Sequence, residues 1–160
     1  MKVIVVSDTH RKNDNYFKLI EMHNPDMIIH CGDVEGSEYA LTEAANCPVY
    51  MVKGNNDFFS ELPKELEVQV ENFKVWVTHG HTYGVSVGCG YIKEEAASRG
   101  ANIVLFGHTH MPLIDKEGDV IAINPGSISY PRQPGRQPSF AILETDRFGE
   151  WHFKIGYLKS

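Results

Sequence analysis

Apolar runs that each end in Gly, Asp, Asn or His recur along the first two thirds of the chain. Residues 2–7 are almost continuously apolar, which is typical of a strand buried on both faces. The five runs, with their polar ends, read VIVVSDTH, MIIHCGD, VYMVKGNND, KVWVTHGH and NIVLFGHTH. They lie roughly one strand-plus-helix unit apart, and this spacing predicts strands that alternate with helices.

Three segments between these runs have helical character. Residues 15–23 carry apolar side chains on one face. Ser37 can cap a second helix over residues 38–45. The third helix is expected over residues 92–99, with Gly100 as its C-cap.

The pattern changes after residue 110, where strands follow one another without helices between them. The segments VIAINPGS, SFAILETD and EWHFKIGYL are separated by short turn signals, which favours antiparallel pairing. The sequence therefore predicts a βαβα unit followed by a β-rich end, with two packed sheets and helices outside. We expect one domain over residues 1–160 because the chain contains no linker, repeat or low-complexity segment.

Composition and charge restrict the class of protein. A hydrophobic content of 42% is that of a globular domain, and a formal net charge of −6 disfavours nonspecific binding to nucleic acid or to an anionic membrane. Cys31, Cys47 and Cys89 form no CxxC pair and suit a reducing compartment. The first apolar stretch is too short for a signal peptide, and no run approaches the roughly 18 residues of a membrane helix. We expect a cytoplasmic protein.

Seven potential metal ligands stand at the ends of the apolar runs: Asp8, His10, Asp33, Asn55, His79, His108 and His110. Ligand sites of open α/β sheets lie outside the carboxyl ends of the strands, so these side chains are expected to converge. In an extended segment, residues i and i+2 point to the same side, so each His-x-His pair could approach one centre. This density of ligands is enough for two divalent cations and indicates metal-assisted hydrolysis.

Each motif has an ordinary structural alternative. Asp8 could cap a helix, Asp33 could belong to a Gly-Asp turn, residues 54–57 could form a plain loop, and the other histidines could be exposed. Their occurrence in order, each closing an apolar run, favours the metal site. We interpret Cys31, two residues before Asp33, as a buried core thiol and not a ligand.

The motifs resemble those of the calcineurin-like metallophosphoesterases. The resemblance rests on Asp8-x-His10, Gly32-Asp33, Gly54-Asn55-x-Asp57, His79 in THGH, and Gly107-His108-Thr109-His110. The small size, THGH and the later Asn124-Pro125-Gly126-Ser127 are similar to the YfcE-like phosphodiesterase branch. The resemblance implies an α/β fold, a four-layer αββα sandwich of two mixed β-sheets flanked by helices, with a dinuclear site. By motif matching, one metal would be held by Asp8, His10, Asp33 and His110, and the other by Asp33, Asn55, His79 and His108, with Asp33 bridging.

These ligand types suit phosphate ester chemistry. Two divalent ions, two carboxylates and a bridging hydroxide leave a charge of about +1, which attracts a phosphate. Nitrogen and oxygen ligands without thiolate favour Mn²⁺, our first expectation, or Fe²⁺, Zn²⁺, Co²⁺ or Ni²⁺. We therefore expect a metal-dependent phosphodiesterase that hydrolyses small-molecule phosphate esters by attack of a metal-bridging hydroxide.

The candidate catalytic residues are Asn56, His81 and Asp57. Many phosphomonoesterases of this group resemble the chain here but have His in place of Asn56, and an amide cannot act as a general acid. His81 could supply the proton, or it could be a supporting or exposed imidazole, and the role of Asp57 is open because its family partner is the missing His. Arg132, in the turn-rich loop 130–136, is a candidate substrate ligand or part of a surface connector.

Two other functions stay open. The retromer subunit of the same fold resembles this chain in outline and works as an interaction scaffold, although an intact set of seven ligands argues against that function here. A phosphomonoesterase of a small metabolite is disfavoured by Asn56. The pattern is also compatible with a homo-oligomer.

Overall fold

Two five-stranded sheets and three helices account for the regular structure of residues 1–159. In a computed structural model, residues 1–159 are described. The elements in chain order are β1 (Lys2–Val6), α1 (Asp14–His23), β2 (Met27–His30), α2 (Glu38–Ala44), β3 (Val49–Met51), β4 (Glu65–Val70), β5 (Phe73–Thr78), α3 (Gly90–Ser98), β6 (Ile103–Leu105), β7 (Pro112–Asp115), β8 (Ile121–Pro125), β9 (Ser139–Thr145) and β10 (Trp151–Tyr157).

Both sheets are mixed. The first has the order β10-β9-β1-β2-β3, in which β1, β2 and β3 are parallel and β9 and β10 are antiparallel additions. The second has the order β4-β5-β6-β8-β7, with β5, β6 and β8 parallel and the edge strands β4 and β7 antiparallel. The parallel strands therefore carry their carboxyl ends, and the loops that follow them, on a common side of each sheet.

The main core lies between the two sheets. Val5 and Ile29 of the first sheet belong to the same buried cluster as Val77 and Leu105 of the second, and all four side chains are fully buried. Alternate residues on the same strands point away from this cluster because side chains alternate between the two faces of a strand. The near-continuous apolar runs follow from burial on both faces.

The helices cover the outer faces. Tyr16 of α1 and Leu41 of α2 pack with Ile4 on the outside of the first sheet, while Ile92 of α3 packs with Trp76 on the outside of the second. The order of layers is helix, sheet, sheet, helix, so the predicted sandwich of two mixed sheets is confirmed.

Several local expectations were wrong. β4 and β7 were not predicted, and α3 begins at Gly90, two residues earlier than expected. Ser37 precedes α2 but makes no side-chain cap hydrogen bond, and its hydroxyl instead accepts a hydrogen bond from the Asn13 amide at 3.1 Å. β8 pairs antiparallel with β7 but parallel with β6, so the β-rich end is not uniformly antiparallel.

None of the helices in residues 1–159 combines the length and apolar character required to cross a membrane.

Tyr16 joins α1 to the end of α2, and its removal gives a test of this packing. Its buried hydroxyl donates to the Leu41 carbonyl oxygen at 2.9 Å, while the Ala45 N–H bonds instead to Thr42. We expect Tyr16→Phe to lower the free energy of unfolding by about 1–2 kcal/mol, because a buried acceptor loses its donor. Urea denaturation measures this change. The matched variant Tyr39→Phe, at an exposed position of α2, should stay within about 0.5 kcal/mol.

Candidate metal centre

The predicted ligands lie in loops at the carboxyl ends of parallel strands. Asp8 follows β1, Asp33 follows β2, and Asn55 lies in the loop after β3. In the second sheet, His79 directly follows β5, and the segment with His108 follows β6. Two sheets thus deliver polar side chains to one region, although the ligands are far apart in sequence.

Asp8 is the centre of the cluster. The side chain is fully buried, and its Oδ1 atom lies 3.6 Å from His10 Nε2, 3.4 Å from His110 Nε2 and 3.8 Å from His79 Nε2. Burial alone would raise the pKa of the Asp8 carboxyl, but the imidazoles of His10 and His110 lower it more, so the net pKa is below the usual range. Asp8 is therefore an anion, and yet Oδ1 has no hydrogen-bond partner.

The histidine rings are oriented as metal ligands are. His79 Nδ1 lies 2.7 Å from the Cys31 carbonyl oxygen, and His110 Nδ1 lies 2.7 Å from that of Tyr130. A carbonyl only accepts, so Nδ1 carries the proton and donates, which leaves the Nε2 lone pair of a neutral ring free. His79 Nε2 is buried without a hydrogen-bond partner. A nitrogen and a carboxylate oxygen thus face one another without hydrogen-bond partners. This arrangement fits a cation bound between them.

Asp33 lies between two of these histidines. Its Oδ2 atom is 3.3 Å from His79 Nε2 and 3.6 Å from His10 Nε2. The backbone N–H of Asn56 donates to Asp33 Oδ1 at 2.8 Å, and the Asn56 side-chain amide donates to Oδ2 at 3.1 Å. These two bonds fix the carboxylate plane. Two carboxylates thus serve one cluster, and groups of three ligand atoms form around Asp8 with His10 and His110, and around Asp8 with Asp33 and His79.

Asn55 and His108 form the outer part of the cluster. The Asn55 Oδ1 atom lies 3.1 Å from His108 Nδ1, and the His108 ring lies 5.3 Å from that of His79. The His108 backbone N–H donates to Asp8 Oδ2 at 3.1 Å, which links this outer pair to the central carboxylate.

The expectation that each His-x-His pair approaches one centre was wrong. β6 ends at Leu105, and the following segment is turned instead of extended. As a result, His108 faces Asn55 and His79, whereas the His110 ring lies 5.1 Å from that of His10. In the other pair, His79 is buried and His81 is exposed, with 5.4 Å between the ring centroids.

Five of the seven predicted ligands have positive φ, a conformation that non-glycine residues rarely adopt. The φ angles are 57° for Asp8, 45° for His10, 63° for Asp33, 73° for His108 and 61° for His110. Each such residue costs about 1–3 kcal/mol, and this kind of strain concentrates at functional sites. The loops direct these side chains toward one region, and their positive φ angles lower the free energy of unfolding.

Asp57 holds two of the strained loops together. Its carboxylate accepts backbone N–H bonds from Asp33 at 2.8 Å, Glu35 at 2.7 Å and Gly54 at 2.8 Å. It therefore joins the loop after β2 to the loop after β3. Local residue types do not predict the bonds to the other loop, because an Asp in a turn-rich stretch bonds its own loop more often than a distant one.

Serines and glycines complete the support around Asp8. The Ser7 hydroxyl donates to Asp8 Oδ2 at 2.6 Å, and the Ser127 hydroxyl donates to the Asp8 carbonyl oxygen at 2.8 Å. A Cβ atom on Gly107 would lie 2.0 Å from Ser7 Oγ, and one on Gly54 would lie 2.1 Å from Asp33 Oδ1. The glycines of the Gly-Asn and Gly-His motifs are required by this close approach. Sequence reasoning missed Ser7 as a supporting residue.

The remaining candidate residues surround the cluster. Arg132 lines a cavity of about 480 Å³ together with His10, His110 and Arg136, and its backbone N–H donates to the His110 carbonyl oxygen at 3.0 Å. Glu35, which the sequence did not suggest, has an oxygen 3.5 Å from His10 Nδ1.

A cluster of carboxylates and imidazoles at the strand ends of a two-sheet sandwich is a candidate site for divalent metal ions. The family model of the calcineurin-like phosphoesterase superfamily domain matches residues 1–147, and the chain belongs to this superfamily. It is a metallophosphoesterase, of a family that acts on phosphate esters and uses divalent metal ions.

Curated relatives and solved structures agree with this family. The chain is 35% identical to the probable metallophosphoesterase YsnB of Bacillus subtilis over 89% of its own length and 83% of the relative's. It is 31% identical to a phosphodiesterase of Methanocaldococcus jannaschii, with 92% and 95% of the two chains covered. The crystal structure of a predicted phosphoesterase from Streptococcus pneumoniae has a TM-score of 0.79 at 29% identity, covering 98% of this chain and 97% of that one.

The fold also occurs in Vps29. The zinc complex of Vps29 from Entamoeba histolytica has a TM-score of 0.78 at 21% identity, with 98% of this chain and 99% of that chain covered. At this identity the likeness concerns the fold alone.

Asp57→Asn tests whether one carboxylate holds the two ligand loops. An amide has a single acceptor oxygen, and its NH₂ group would face at least one backbone N–H that Asp57 now satisfies. We expect the free energy of unfolding of the metal-free protein to fall by at least about 2 kcal/mol. Urea denaturation measures it, with Asp119→Asn, in an exposed turn, as the control that should change little. Equal stability of the two variants would contradict the loop-joining role.

Proposed function

We propose that this protein is a dinuclear metal-dependent phosphodiesterase that hydrolyses small phosphodiesters by attack of hydroxide on phosphorus. When bound, two divalent ions supply a hydroxide at neutral pH and positive charge for the nonbridging phosphate oxygens. The observation that carries the proposal is the meeting of an unpaired Asp8 oxygen with three imidazole Nε2 atoms in a buried cluster.

The chain offers two sets of ligands that share a carboxylate. We propose that Asp8, His10, Asp33 and His110 hold one ion, and that Asp33, Asn55, His79 and His108 hold the other. The position of Asp33 Oδ2 within 3.6 Å of both His10 and His79 supports Asp33 as the shared ligand. The oxygen and nitrogen atoms of this set favour Mn²⁺, with Fe²⁺, Zn²⁺, Co²⁺ or Ni²⁺ as other candidates.

Three further residues position the ligands or contact the substrate in this proposal. Asn56 orients Asp33 through its amide, and Asp57 holds the loops that carry Asp33 and Asn55. Arg132 borders the cavity next to His110, which supports the proposal that its guanidinium binds a phosphate oxygen. His81 is the other imidazole near the cluster, with its ring 6.1 Å from that of His108, but partial burial and the neighbouring His79 lower its pKa and disfavour the protonated form that a general acid needs.

Space on both sides of the cluster supports a diester substrate. A cavity of about 390 Å³ reaches Asn55 and His81, and another of about 490 Å³ reaches His108 and Arg132. A phosphomonoester has one organic substituent, whereas a diester has two and needs room on both sides of phosphorus. Asn56 cannot act as a general acid, and this also disfavours the hydrolysis of phosphomonoesters that have a poor leaving group.

An interaction scaffold is the other candidate function, because Vps29 structures share the fold. A scaffold has no need of buried ligand atoms without hydrogen bonds, which Asp8 and His79 retain. The free thiols Cys31, Cys47 and Cys89 support a reducing location such as the cytoplasm in either case.

Metal content tests the dinuclear site. Reconstituted protein should contain about two ions per chain, chelation should abolish activity, and Mn²⁺ should restore it. Asp33→Asn keeps the shape of the side chain but removes its charge, so we expect loss of at least one ion and a fall in kcat of at least about 10²-fold. Elemental analysis and a diester assay measure both quantities.

Cys31→Ala is the matched control for Asp33→Asn. Cys31 lies two residues away and is fully buried, and burial raises the pKa of its thiol, so the thiolate needed for metal binding is disfavoured. Its substitution should leave the metal content unchanged. Saturation of the native protein at one ion, or two ions and most activity in Asp33→Asn, would contradict the proposed bridge.

Asn56→His tests the missing general acid. Protonation of the departing oxygen is worth roughly 10²–10⁴-fold where the leaving group needs it. The native plot of log rate against leaving-group pKa should be steep, and the variant should have a flatter slope, with larger gains for alkyl than for nitrophenyl esters. Rates are compared at equal metal occupancy. An unchanged slope with both metals present would contradict the prediction, and would mean that another group such as His81 already supplies the proton or that departure of the leaving group is not rate-limiting.

A further inference from the structure

A cavity on one side of the candidate centre is lined by lysines. It has a volume of about 390 Å³ and begins at Asn55, a predicted metal ligand. Its other lining residues include two lysines and the hydroxyl groups of two threonines: Lys53, Lys64, Thr78 and Thr82. A group of this kind can bind an anion through charge and through hydrogen bonds.

The two lysines have no carboxylate partner. Among residues 1–159, the ion pairs formed by lysine side chains involve Lys74, Lys93 and Lys154. Lys53 is half-buried and Lys64 is exposed. Other lysines of the chain also lack a carboxylate partner, and what distinguishes this pair is that both line one cavity beside Asn55.

The carboxylate nearest to them in the cavity wall is already engaged. Glu65 accepts a hydrogen bond from the Tyr83 hydroxyl at 2.7 Å and one from Arg99 at 3.4 Å. The Glu65 carboxylate therefore points toward Tyr83 and Arg99, so the charges of Lys53 and Lys64 stay available for a ligand.

The backbone holds the two lysines close together at the two ends of the loop between β3 and β4. The Lys53 N–H donates to the Pro63 carbonyl oxygen at 2.7 Å, and Lys64 follows Pro63 directly. Two ammonium groups on one cavity repel each other, and this repulsion is relieved when an anion binds between them. Gly54 and Asn55 follow Lys53 directly and line the same cavity. An anion bound between the lysines would therefore lie within the reach of a short substituent on the scissile phosphate.

We propose that the cavity at Lys53 and Lys64 is a second anion subsite, and that the substrates are phosphodiesters in which one substituent carries a further carboxylate or phosphate. This inference rests on the proposed function, because it takes the scissile phosphate to lie at the candidate metal centre. The subsite selects among diesters by the charge of a group that does not react.

Three diesters with the same 4-nitrophenyl leaving group test the subsite. Their second substituents are butyl, 3-carboxypropyl and 3-phosphonopropyl, so shape is nearly constant while charge changes. In the metal-loaded native enzyme we expect kcat/KM to be at least about tenfold higher for an anionic ester than for the butyl ester. The ratio between the two anionic esters distinguishes a carboxylate from a phosphate ligand. The double variant Lys53→Met/Lys64→Met should bring the ratio of anionic to butyl ester close to one.

The control is Lys18→Met/Lys159→Met, which removes the same charge from exposed positions outside the cavity. It should keep the native ratio, so that general attraction by net charge is separated from binding at the subsite. A native ratio near one, or an equal fall of the ratio in both double variants, would overturn the proposal.

Binding without turnover separates this inference from the proposed activity. Butyl and 3-carboxypropyl esters of methylphosphonic acid have the same charge difference but lack the leaving group, and calorimetry gives their affinities for the metal-loaded protein. Tighter binding of the anionic ester supports the subsite if it is lost in the Lys53→Met/Lys64→Met variant. This holds even if no diester is hydrolysed, because the absence of hydrolysis would contradict only the proposed diesterase activity. Equal affinities of the two esters would contradict the subsite itself.

Discussion

Three imidazole nitrogens approach one oxygen of the buried Asp8 carboxylate, and the loops of the site are arranged around this contact. The distances from Asp8 Oδ1 to the three Nε2 atoms are 3.4–3.8 Å, and Asp8 Oδ1 and His79 Nε2 have no hydrogen-bond partner. A buried carboxylate oxygen without a partner is costly, and a cation among the ligands removes that cost. Because ligands must be deprotonated before a metal binds, the low pKa of Asp8 favours metal binding. Burial lowers the pKa of the His79 imidazole, but the carboxylates of Asp33 and Asp8 raise it more, so a metal competes with a proton at that ring.

This cluster exists only because the loops around it are held in an unfavourable conformation. Positive φ angles at Asp8, Asp33 and His108 oppose folding, and isolated loops of this sequence would relax. Asp57, which joins two loops, and Ser127, which binds the backbone of Asp8, offset the strain with buried hydrogen bonds. The supporting residues are therefore as necessary to the site as the ligands they position.

The sequence revealed the strand ends well because two local signals agree there. Apolar runs such as residues 2–7 predict buried strands, and the residue types that follow them, such as Asp8 and His79, bind metals. Features that depend on distant contacts were not accessible. The turn that separates His108 from His110 places both residues at positive φ, which their residue types do not predict, and β4 forms by pairing with β5 although its alternating pattern is partly exposed. The three-way bond of Asp57 joins loops that only the folded sheets bring together.

Strained loops and unsatisfied buried polar atoms also help to distinguish a catalytic protein from an interaction scaffold. A protein that only presents a surface gains stability whenever a strained loop relaxes or an unsatisfied buried polar atom is replaced. Relaxed loops would not require Gly54 and Gly107, whose missing Cβ atoms allow the backbone to approach Asp33 and Asp8. This chain keeps the strain, the unpaired atoms and the close approach together at one edge of the sandwich. Such a combination of destabilising features fits a site that binds a metal ion, and a docking surface elsewhere on the fold would not account for it.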